Sequence, residues 1–176
     1  MSLQRARVEA LRETVSVRDE RADDHAAVDA LVEAAFGQPG ERDLVRALRG
    51  EPGVLSLVAV AGSEVVGHAL YSPMTLAGHT AIGLAPLAVR PDWHGRSVGT
   101  LLCFEGRERW KHTHELCFVL GDPAYYGTRG WTTAAPRWRC KWPGTEAAFQ
   151  VDFADRARAE HFEGGPVAYH PVFDGV

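Results

Sequence analysis

The sequence lacks the features that would place it in a special class of protein. It has no run of about 18 consecutive apolar residues, the length that predicts a membrane-spanning helix, and it has no internal repeat. Cysteine is rare, with three residues in a chain of 176. Because they are odd in number, far apart and without metal-ligand spacing, they predict buried free thiols and no structural metal. They are Cys103, Cys117 and Cys140.

An excess of positive charge is also missing. The chain has 19 Lys and Arg against 23 Asp and Glu, a formal net charge of -4 at pH 7, and no basic run. This balance disfavours nucleic acid and anionic membranes as partners. Residues 1–13 alternate charged residues with alanine instead of forming the apolar core of a secretory signal, which predicts a cytoplasmic protein.

The composition that remains is typical of a globular protein, with 45% hydrophobic and 24% charged residues. A chain of this length has the size of one domain. Residues 1–13 carry several arginines and few large apolar side chains, so we predict a flexible N-terminal segment, as a frayed helix or a mobile tail. Residues 14–176 are predicted to form a single domain.

Hydrophobic periodicity predicts the elements of the first half. Alternation over residues 14–18 indicates a strand, and apolar residues at helical spacing indicate a helix that Asp23 or Asp24 caps and Gly37 ends. A second short helix follows over residues 41–49. Two β-branched runs, residues 54–61 and 65–71, indicate a hairpin.

The second half begins with a predicted strand over residues 80–89. Pro86 interrupts it and cannot donate a ladder hydrogen bond, so the strand should bulge or lose a neighbour there. A helix from Val98 to about His114 and an apolar strand over 116–120 follow, which predicts a right-handed crossover between parallel strands. Weaker signals predict strands around 135–141 and 147–153 and a short helix near 154–161.

The segment between that strand and helix predicts an anion-binding site. It reads His94-Gly95-Arg96-Ser97-Val98-Gly99-Thr100 and opens directly into the helix. Small residues let several backbone N–H groups point outward together, and the helix N-terminus adds unpaired N–H groups and its dipole. The segment lacks the glycine-lysine end of a P-loop and the three glycines of a dinucleotide fingerprint, so a different phosphate-bearing ligand is indicated.

Residues 83–131 resemble the GCN5-related N-acetyltransferase (GNAT) superfamily. In that superfamily a loop written Q/R-x-x-G-x-G/A holds the pyrophosphate of acetyl-coenzyme A (acetyl-CoA), and here His94 to Gly99 occupy its six positions. The run Leu87-Ala88-Val89-Arg90-Pro91 resembles the strand before the loop. The run Gly121-Asp122-Pro123-Ala124-Tyr125-Tyr126 and the segment from Tyr169 to Asp174 most resemble the YhbS-like branch of predicted acetyltransferases.

The resemblance implies an α/β (α+β) fold with a mixed, mostly antiparallel central sheet, a splayed parallel strand pair and helices on both faces. It implies acetyl-CoA as co-substrate and no metal. Backbone groups of Leu87 and Val89 would pair with the pantetheine arm, and the Leu87 N–H would face the thioester oxygen. The residues implied to bind the carrier are Leu87, Val89, His94, Gly95, Arg96, Ser97, Val98, Gly99 and Thr100.

Tyr126 is implied to be the catalytic acid. It lies four residues before Gly130, at the position of the tyrosine that many members use to protonate the leaving sulfur. A phenol is protonated at neutral pH and can donate that proton. Tyr125 would take the role if the local structure shifted by one residue. A packing role for Tyr126, with its hydroxyl on a backbone partner, remains the alternative.

Two residues depart from the family's loop. His94 stands where Gln or Arg is written, and Ser97 stands where Gly is written. A histidine can donate to phosphate, and a serine can add a hydroxyl donor provided that its backbone does not need a positive φ. Ser97 could instead only cap the helix.

The general base is left open. Residues 83–89 offer no carboxylate, and His68, His79 and Asp122 are candidates that could equally be structural. The predicted reaction is acetyl transfer to a primary amine of a small molecule or peptide by direct attack in a ternary complex, since Cys103 and Cys117 look buried. The alternatives are a non-catalytic acyl-CoA-binding sensor or regulatory module and a structural protein. The acceptor's identity and the choice between monomer and homodimer are also open.

Overall fold

A computed structural model describes residues 3–175, with side chains from residue 5 onward. The α-helices are α1 (Leu3–Leu11), α2 (His25–Phe36), α3 (Gly40–Leu48), α4 (Val98–Trp110) and α5 (Pro123–Gly127). The strands are β1 (Val15–Asp19), β2 (Leu55–Ala61), β3 (Glu64–Leu76), β4 (His79–Val89), β5 (Leu116–Leu120), β6 (Thr132–Thr133), β7 (Trp138–Arg139), β8 (Phe149–Phe153) and β9 (Gly165–Pro166). Short 3₁₀ helices cover Ala22–Asp24, Pro91–Trp93, Arg156–His161 and Pro171–Asp174.

Seven of these strands form one mixed, mostly antiparallel sheet in the order β1-β2-β3-β4-β5-β8-β6, and β7 pairs with β9 in a small second sheet. The strands on either side of α4, β4 and β5, run parallel, with Ala81–Leu84 beside Leu116–Val119. The predicted α/β fold, with its mixed sheet, its parallel pair and its flanking helices, is confirmed.

The chain divides into two compact units, which we describe separately. The first contains residues up to 70 and residues 86–106. In it β1 pairs antiparallel with β2, and α2 ends at Gly37, whose φ of 70° suits a glycine C-cap. Both helices predicted in this region are present. Their buried apolar residues are Val28, Leu31, Val32, Leu44, Val45 and Leu48.

Asp24 does not cap α2 through its side chain, contrary to one of the two predicted caps. Its carboxylate instead accepts hydrogen bonds from both terminal nitrogens of Arg18, at 2.6 and 2.9 Å. The Arg18 hydrogen bonds lower the pKa of Asp24 to about 2. Within the segment predicted to be flexible, Leu3–Leu11 form α1, and Val8 is buried.

The second unit contains residues 71–85 and 107–175. Its core is aromatic: the Phe118 ring stacks on Phe149 with 5.2 Å between centroids and meets Trp138 edge-on at 5.7 Å. The two strands predicted here are shorter than expected, at Trp138–Arg139 and Phe149–Phe153, and the predicted helix is the 3₁₀ segment Arg156–His161. Such short elements depend on partners distant in sequence, which periodicity cannot reveal.

Candidate functional site

Strand β4 extends beyond its pairing with β5. The parallel register ends at Leu84 opposite Val119, and β5 itself ends at Leu120, whereas β4 continues to Val89. Pro86 lies in this extension and brings no N–H group. On the edge where β4 would pair with β5, the backbone groups of this extension are therefore not bonded to β5.

The contacts of the extension with β3 show to which edge each of its backbone N–H and C=O groups points. The Arg90 N–H donates to the Val66 carbonyl at 3.0 Å, and the Ala88 carbonyl lies 3.4 Å from where a Cβ on Gly67 would be. Backbone groups of successive residues in a strand point to alternate edges. Leu87 and Val89 therefore direct their N–H and C=O groups away from β3.

A glycine in β3, Gly67, determines how closely α4 packs against this strand. A Cβ at Gly67 would lie 2.8 Å from Val98 Cγ1 and 2.9 Å from Leu102 Cδ1. Real Cβ atoms essentially never approach a non-bonded atom this closely, so a side chain at position 67 would force Val98 and Leu102 of α4 to shift. Gly67 was missed in the sequence analysis; a glycine inside a β-branched strand is the signal that could have found it.

Residues 91–100, which join β4 to α4 and include the first three residues of α4, are called the carrier loop below. Gly95 has a φ of 73° and Ser97 a φ of 67°. The first hydrogen bond of α4 runs from the Leu101 N–H to the Ser97 carbonyl, at 2.9 Å. The N–H groups of Val98 and Gly99 therefore precede the helical hydrogen-bond pattern, as an anion site at a helix N-terminus requires.

Ser97, at the position where the resembling superfamily writes Gly, adopts a left-handed conformation. The condition placed on this serine, that it need no positive φ, is therefore not met. A side chain in this region costs roughly 1–2 kcal/mol relative to a right-handed conformation. The loop thus keeps a glycine-like backbone with a serine in it.

The His94 side chain points back to the strand. Its Nε2 lies 2.8 Å from the Val89 carbonyl oxygen, and because a carbonyl oxygen only accepts, Nε2 carries the hydrogen. His94 was expected to donate to phosphate directly. Its Nε2 donor is instead used within the chain, on the edge of β4 that faces away from β3.

Two arginines, Arg90 and Arg96, lie beside and within the loop. The Arg96 guanidinium lies 5.1 Å from the centre of the Trp93 ring. Arg90 pairs with Asp92 at 2.7 Å and with Glu64 at 3.0 Å. Its hydrogen bond to Asp92, followed by that to Glu64, raises the pKa of Arg90.

Tyr126 lies in α5, in the second unit. Asp122 begins this helix by accepting a hydrogen bond from the Ala124 N–H at 2.8 Å. Tyr126 is 7% exposed, and its ring covers Gly121 so closely that any side chain there would collide with it. The ring also meets Trp131 edge-on at 5.5 Å. The tyrosine ring is therefore held by packing on several sides.

Tyr125 has a different environment from its neighbour. It is partly exposed, and the Arg129 guanidinium lies 3.4 Å from the centre of its ring. Arg129 also donates to the Tyr125 carbonyl. The two adjacent tyrosines thus differ in burial and in their partners.

The three candidate bases all have structural partners. His68 is fully buried, and its Nε2 lies 2.9 Å from Ser56 Oγ. His79 pairs with Glu115 at 3.2 Å. Asp122 holds the start of α5. A fully buried His68 cannot touch an acceptor amine directly.

His68 belongs to a buried polar cluster that the sequence did not reveal. This cluster, called the Glu20 network below, consists of Glu20, Arg49, Ser56 and His68. Ser56 Oγ donates to Glu20 Oε2 at 2.5 Å, and Arg49 donates to Glu20 Oε1 from Nε and Nη2 at 3.0 and 2.8 Å. Burial alone would raise the pKa of Glu20, but interactions with His68, Ser56 and Arg49 lower that pKa to about 2.

The described part of the chain, residues 3–175, contains no cluster of three or more His, Cys, Asp or Glu side chains able to hold a metal ion. No helix in the same range is both long and apolar enough to cross a membrane.

Comparison with known proteins defines the class. Residues 16–119 match the family model described as the acetyltransferase (GNAT) family. The uncharacterized N-acetyltransferase YhbS of Escherichia coli (strain K12) is 37% identical over 160 residues, which cover 86% of this chain and 93% of that protein. The fold and these matches define an acetyltransferase.

Solved structures agree. A crystal structure of YhbS from E. coli in complex with CoA superposes with a TM-score of 0.85 at 34% identity, covering 92% of each chain. A GNAT acetyltransferase from Brucella melitensis in complex with acetyl-CoA gives a TM-score of 0.74 at 31% identity, covering 91% of this chain and 98% of that one. The chain belongs to the GNAT family, as the sequence predicted.

Proposed function

We propose that this protein transfers an acetyl group from acetyl-CoA to a primary amine by direct attack in a ternary complex. The observation that carries the proposal is the extension of β4, whose Leu87 and Val89 backbone groups face away from β3 and lead straight into the carrier loop. The CoA and acetyl-CoA bound to the E. coli and Brucella relatives support it.

In this proposal the backbone binds most of the carrier. Leu87 and Val89 pair with the amides of the pantetheine arm, as a further strand would. The diphosphate accepts hydrogen bonds from the amides of the carrier loop, where the dipole of α4 favours negative charge. The residues assigned to the diphosphate are His94, Gly95, Arg96, Ser97, Val98, Gly99 and Thr100.

The chemistry requires few side chains. The neutral amine attacks the thioester carbonyl carbon and forms the C–N bond, while the Leu87 N–H stabilises the charge that develops on oxygen. Collapse of the intermediate breaks the C–S bond. The departing thiolate takes the phenolic proton of Tyr126. The nitrogen releases its extra proton to solvent, and the Tyr126 phenolate takes one proton from solvent, which restores the acid. Positioning of the two substrates supplies much of the rate.

The assignment of Tyr126 rests on its place in the sequence and on its packing. Its ring is buried against Gly121 and Trp131, so its position is restricted, as a proton donor requires. Tyr125, with Arg129 over its ring, provides a matched comparison.

The remaining assignments are also proposals. Residues 14–176 form one acetyltransferase domain, the protein is cytoplasmic, and the acceptor is a small-molecule amine or a peptide amine. Light scattering coupled to gel filtration distinguishes a monomer from a homodimer.

A non-catalytic acyl-CoA sensor is the second candidate, because His94 and Ser97 replace the family's loop residues and the Nε2 of His94 is used by Val89. Such a module would bind the carrier without releasing CoA.

The test is a screen of amines for acetyl-CoA-dependent release of CoA. We expect Tyr126→Phe to lower kcat by about 100- to 1,000-fold, since it removes a general acid, with the Kd for acetyl-CoA nearly constant. Tyr125→Phe is the control and should keep kcat within about threefold. Unchanged turnover in Tyr126→Phe would remove it from the mechanism, and binding without turnover on every amine would favour the sensor.

A further inference from the structure

The imidazole of His94 connects two parts of the proposed carrier site. It belongs to the carrier loop, and its Nε2–H donates to the carbonyl of Val89, the residue assigned to the pantetheine arm, at 2.8 Å. His94 is exposed, so an arriving ligand can reach the ring.

This hydrogen bond determines what the other ring nitrogen can do. With the hydrogen on Nε2, a neutral imidazole carries only a lone pair on Nδ1, and this nitrogen accepts but cannot donate. Within the described residues Nδ1 has no hydrogen-bond partner. A phosphate oxygen also only accepts. The two can therefore form a hydrogen bond only when His94 takes up a proton on Nδ1.

We propose that His94 couples binding of the carrier's diphosphate to the uptake of one proton from solvent. This inference rests on the proposed function. The imidazolium keeps its Nε2–H on Val89, and it offers an Nδ1–H and a positive charge to the diphosphate. His94 thus positions the end of β4 at any pH, and it binds the anion only in its charged form.

The neighbouring charges do not titrate in the same range. Asp92 pairs with Arg90, and the hydrogen bond from Arg90 lowers the pKa of Asp92. Glu64 also pairs with Arg90, and Arg96 lies over Trp93. Arginines and carboxylates keep their charge between about pH 6 and 8, whereas histidines change theirs. A pH dependence of binding in this range therefore reports on histidine.

The experiment is calorimetric titration of the full chain with 3′-dephospho-CoA, which has the diphosphate but no phosphomonoester that would itself titrate near pH 6. Titrations at about pH 6, 7 and 8 are each run in two buffers of different ionisation enthalpy. The expected result is a Kd about tenfold weaker at the highest pH than at the lowest, with net proton uptake on binding.

His94→Gln provides the conservative variant. Its amide can still donate to the Val89 carbonyl but cannot take up a proton, so its Kd should no longer change with pH and its proton uptake should vanish. His112→Gln, an exposed histidine in the other unit, should keep the wild-type pH profile.

The outcomes separate the two proposals. If the wild type binds neither CoA nor dephospho-CoA at any pH, the proposed function fails. If it binds without proton uptake, or if His94→Gln keeps the wild-type slope, only the role of His94 fails. The proton-uptake measurement needs no variant, so an absence of uptake in the wild type overturns the role of His94 even if His94→Gln does not fold.

Discussion

The Glu20 network and the carrier loop are both polar regions of the first unit, and they are built on opposite principles. In the network the Glu20 carboxylate is 4% exposed and accepts hydrogen bonds from Ser56 and from two nitrogens of Arg49. Residues 91–97 of the loop are exposed or half-buried. The loop holds Ser97 at a φ of 67° and leaves backbone N–H groups ahead of the first helical hydrogen bond.

The difference shows where this protein uses polarity for stability and where for binding. A buried charge must be matched inside the chain, so removing the charge of Glu20 weakens the hydrogen bonds of Ser56 and Arg49, although Arg49 keeps its ion pair with Asp29 at 2.8 Å. In the loop the His94 and Arg96 N–H groups donate to loop carbonyls, whereas those of Val98 and Gly99 precede the helical hydrogen bonds, so side-chain changes there should affect binding more than folding. Three substitutions test this contrast.

The network should show the greatest loss of stability. Because the pKa of Glu20 is lower in the fold than in the unfolded chain, its carboxylate stabilises the protein above roughly pH 4.3. That contribution is lost as the pH falls towards about 2, the folded-state pKa. Glu20→Gln should therefore lower the free energy of unfolding at pH 7 by roughly 3 kcal/mol, measured by urea denaturation.

The same titration provides the check on pH. The difference between wild type and Glu20→Gln should shrink on acidification, and the similar contribution of Asp24 cancels because both proteins contain it. Glu64→Gln removes an exposed carboxylate and should change stability by less than about 0.5 kcal/mol. Parallel curves for wild type and Glu20→Gln at all pH values would contradict this account of the network.

An intermediate loss is expected beneath the loop, where β3 supports the start of α4. Gly67→Ala places a methyl group 2.8 Å from Val98 Cγ1, so the helix must shift, at a cost of about 1–3 kcal/mol. Since the Val98 N–H is one of the carrier-loop groups proposed to bind the diphosphate, CoA affinity should fall severalfold as well.

The control for that change is Gly40→Ala, whose added methyl meets no atom within 4 Å. Thermal unfolding should separate the two alanines clearly. Equal melting temperatures would mean that α4 adapts without strain and that Gly67 does not set its approach.

The smallest effect is expected in the loop itself. Ser97→Gly relieves the left-handed serine, worth roughly 1–2 kcal/mol, but it also loosens the unfolded chain by about 0.5–1 kcal/mol. The net gain should stay below about 1.5 kcal/mol, a rise in melting temperature of no more than about 6 °C. Ser97→Ala is the control, because alanine keeps the strain of the left-handed backbone and should not raise the melting temperature. A melting temperature that falls in Ser97→Gly but not in Ser97→Ala would contradict the prediction.

The long elements were predictable because each carries its own signal. Apolar spacing and a terminal glycine located α2 and α3, and the order of β4, α4 and β5 predicted parallel pairing. Strands β6, β7 and β9 have two residues each, which is too short for any periodicity. Helix α4 ends earlier than predicted because Thr113 and His114 bond back to the Trp110 carbonyl in a final turn.

Some features of the candidate site were likewise predictable from the sequence, and others were not. The position of the carrier loop and the family it indicates could be read from consecutive residues, since an anion site at a helix N-terminus uses backbone groups that any short loop of small residues presents. The left-handed backbone of Ser97, the hydrogen bond of His94 to Val89, the packing of α4 on Gly67 and the Glu20 network emerged only in three dimensions. Each depends on groups that are distant in sequence or on a backbone conformation that folding imposes. The pattern of neighbouring residues in the sequence does not predict such contacts.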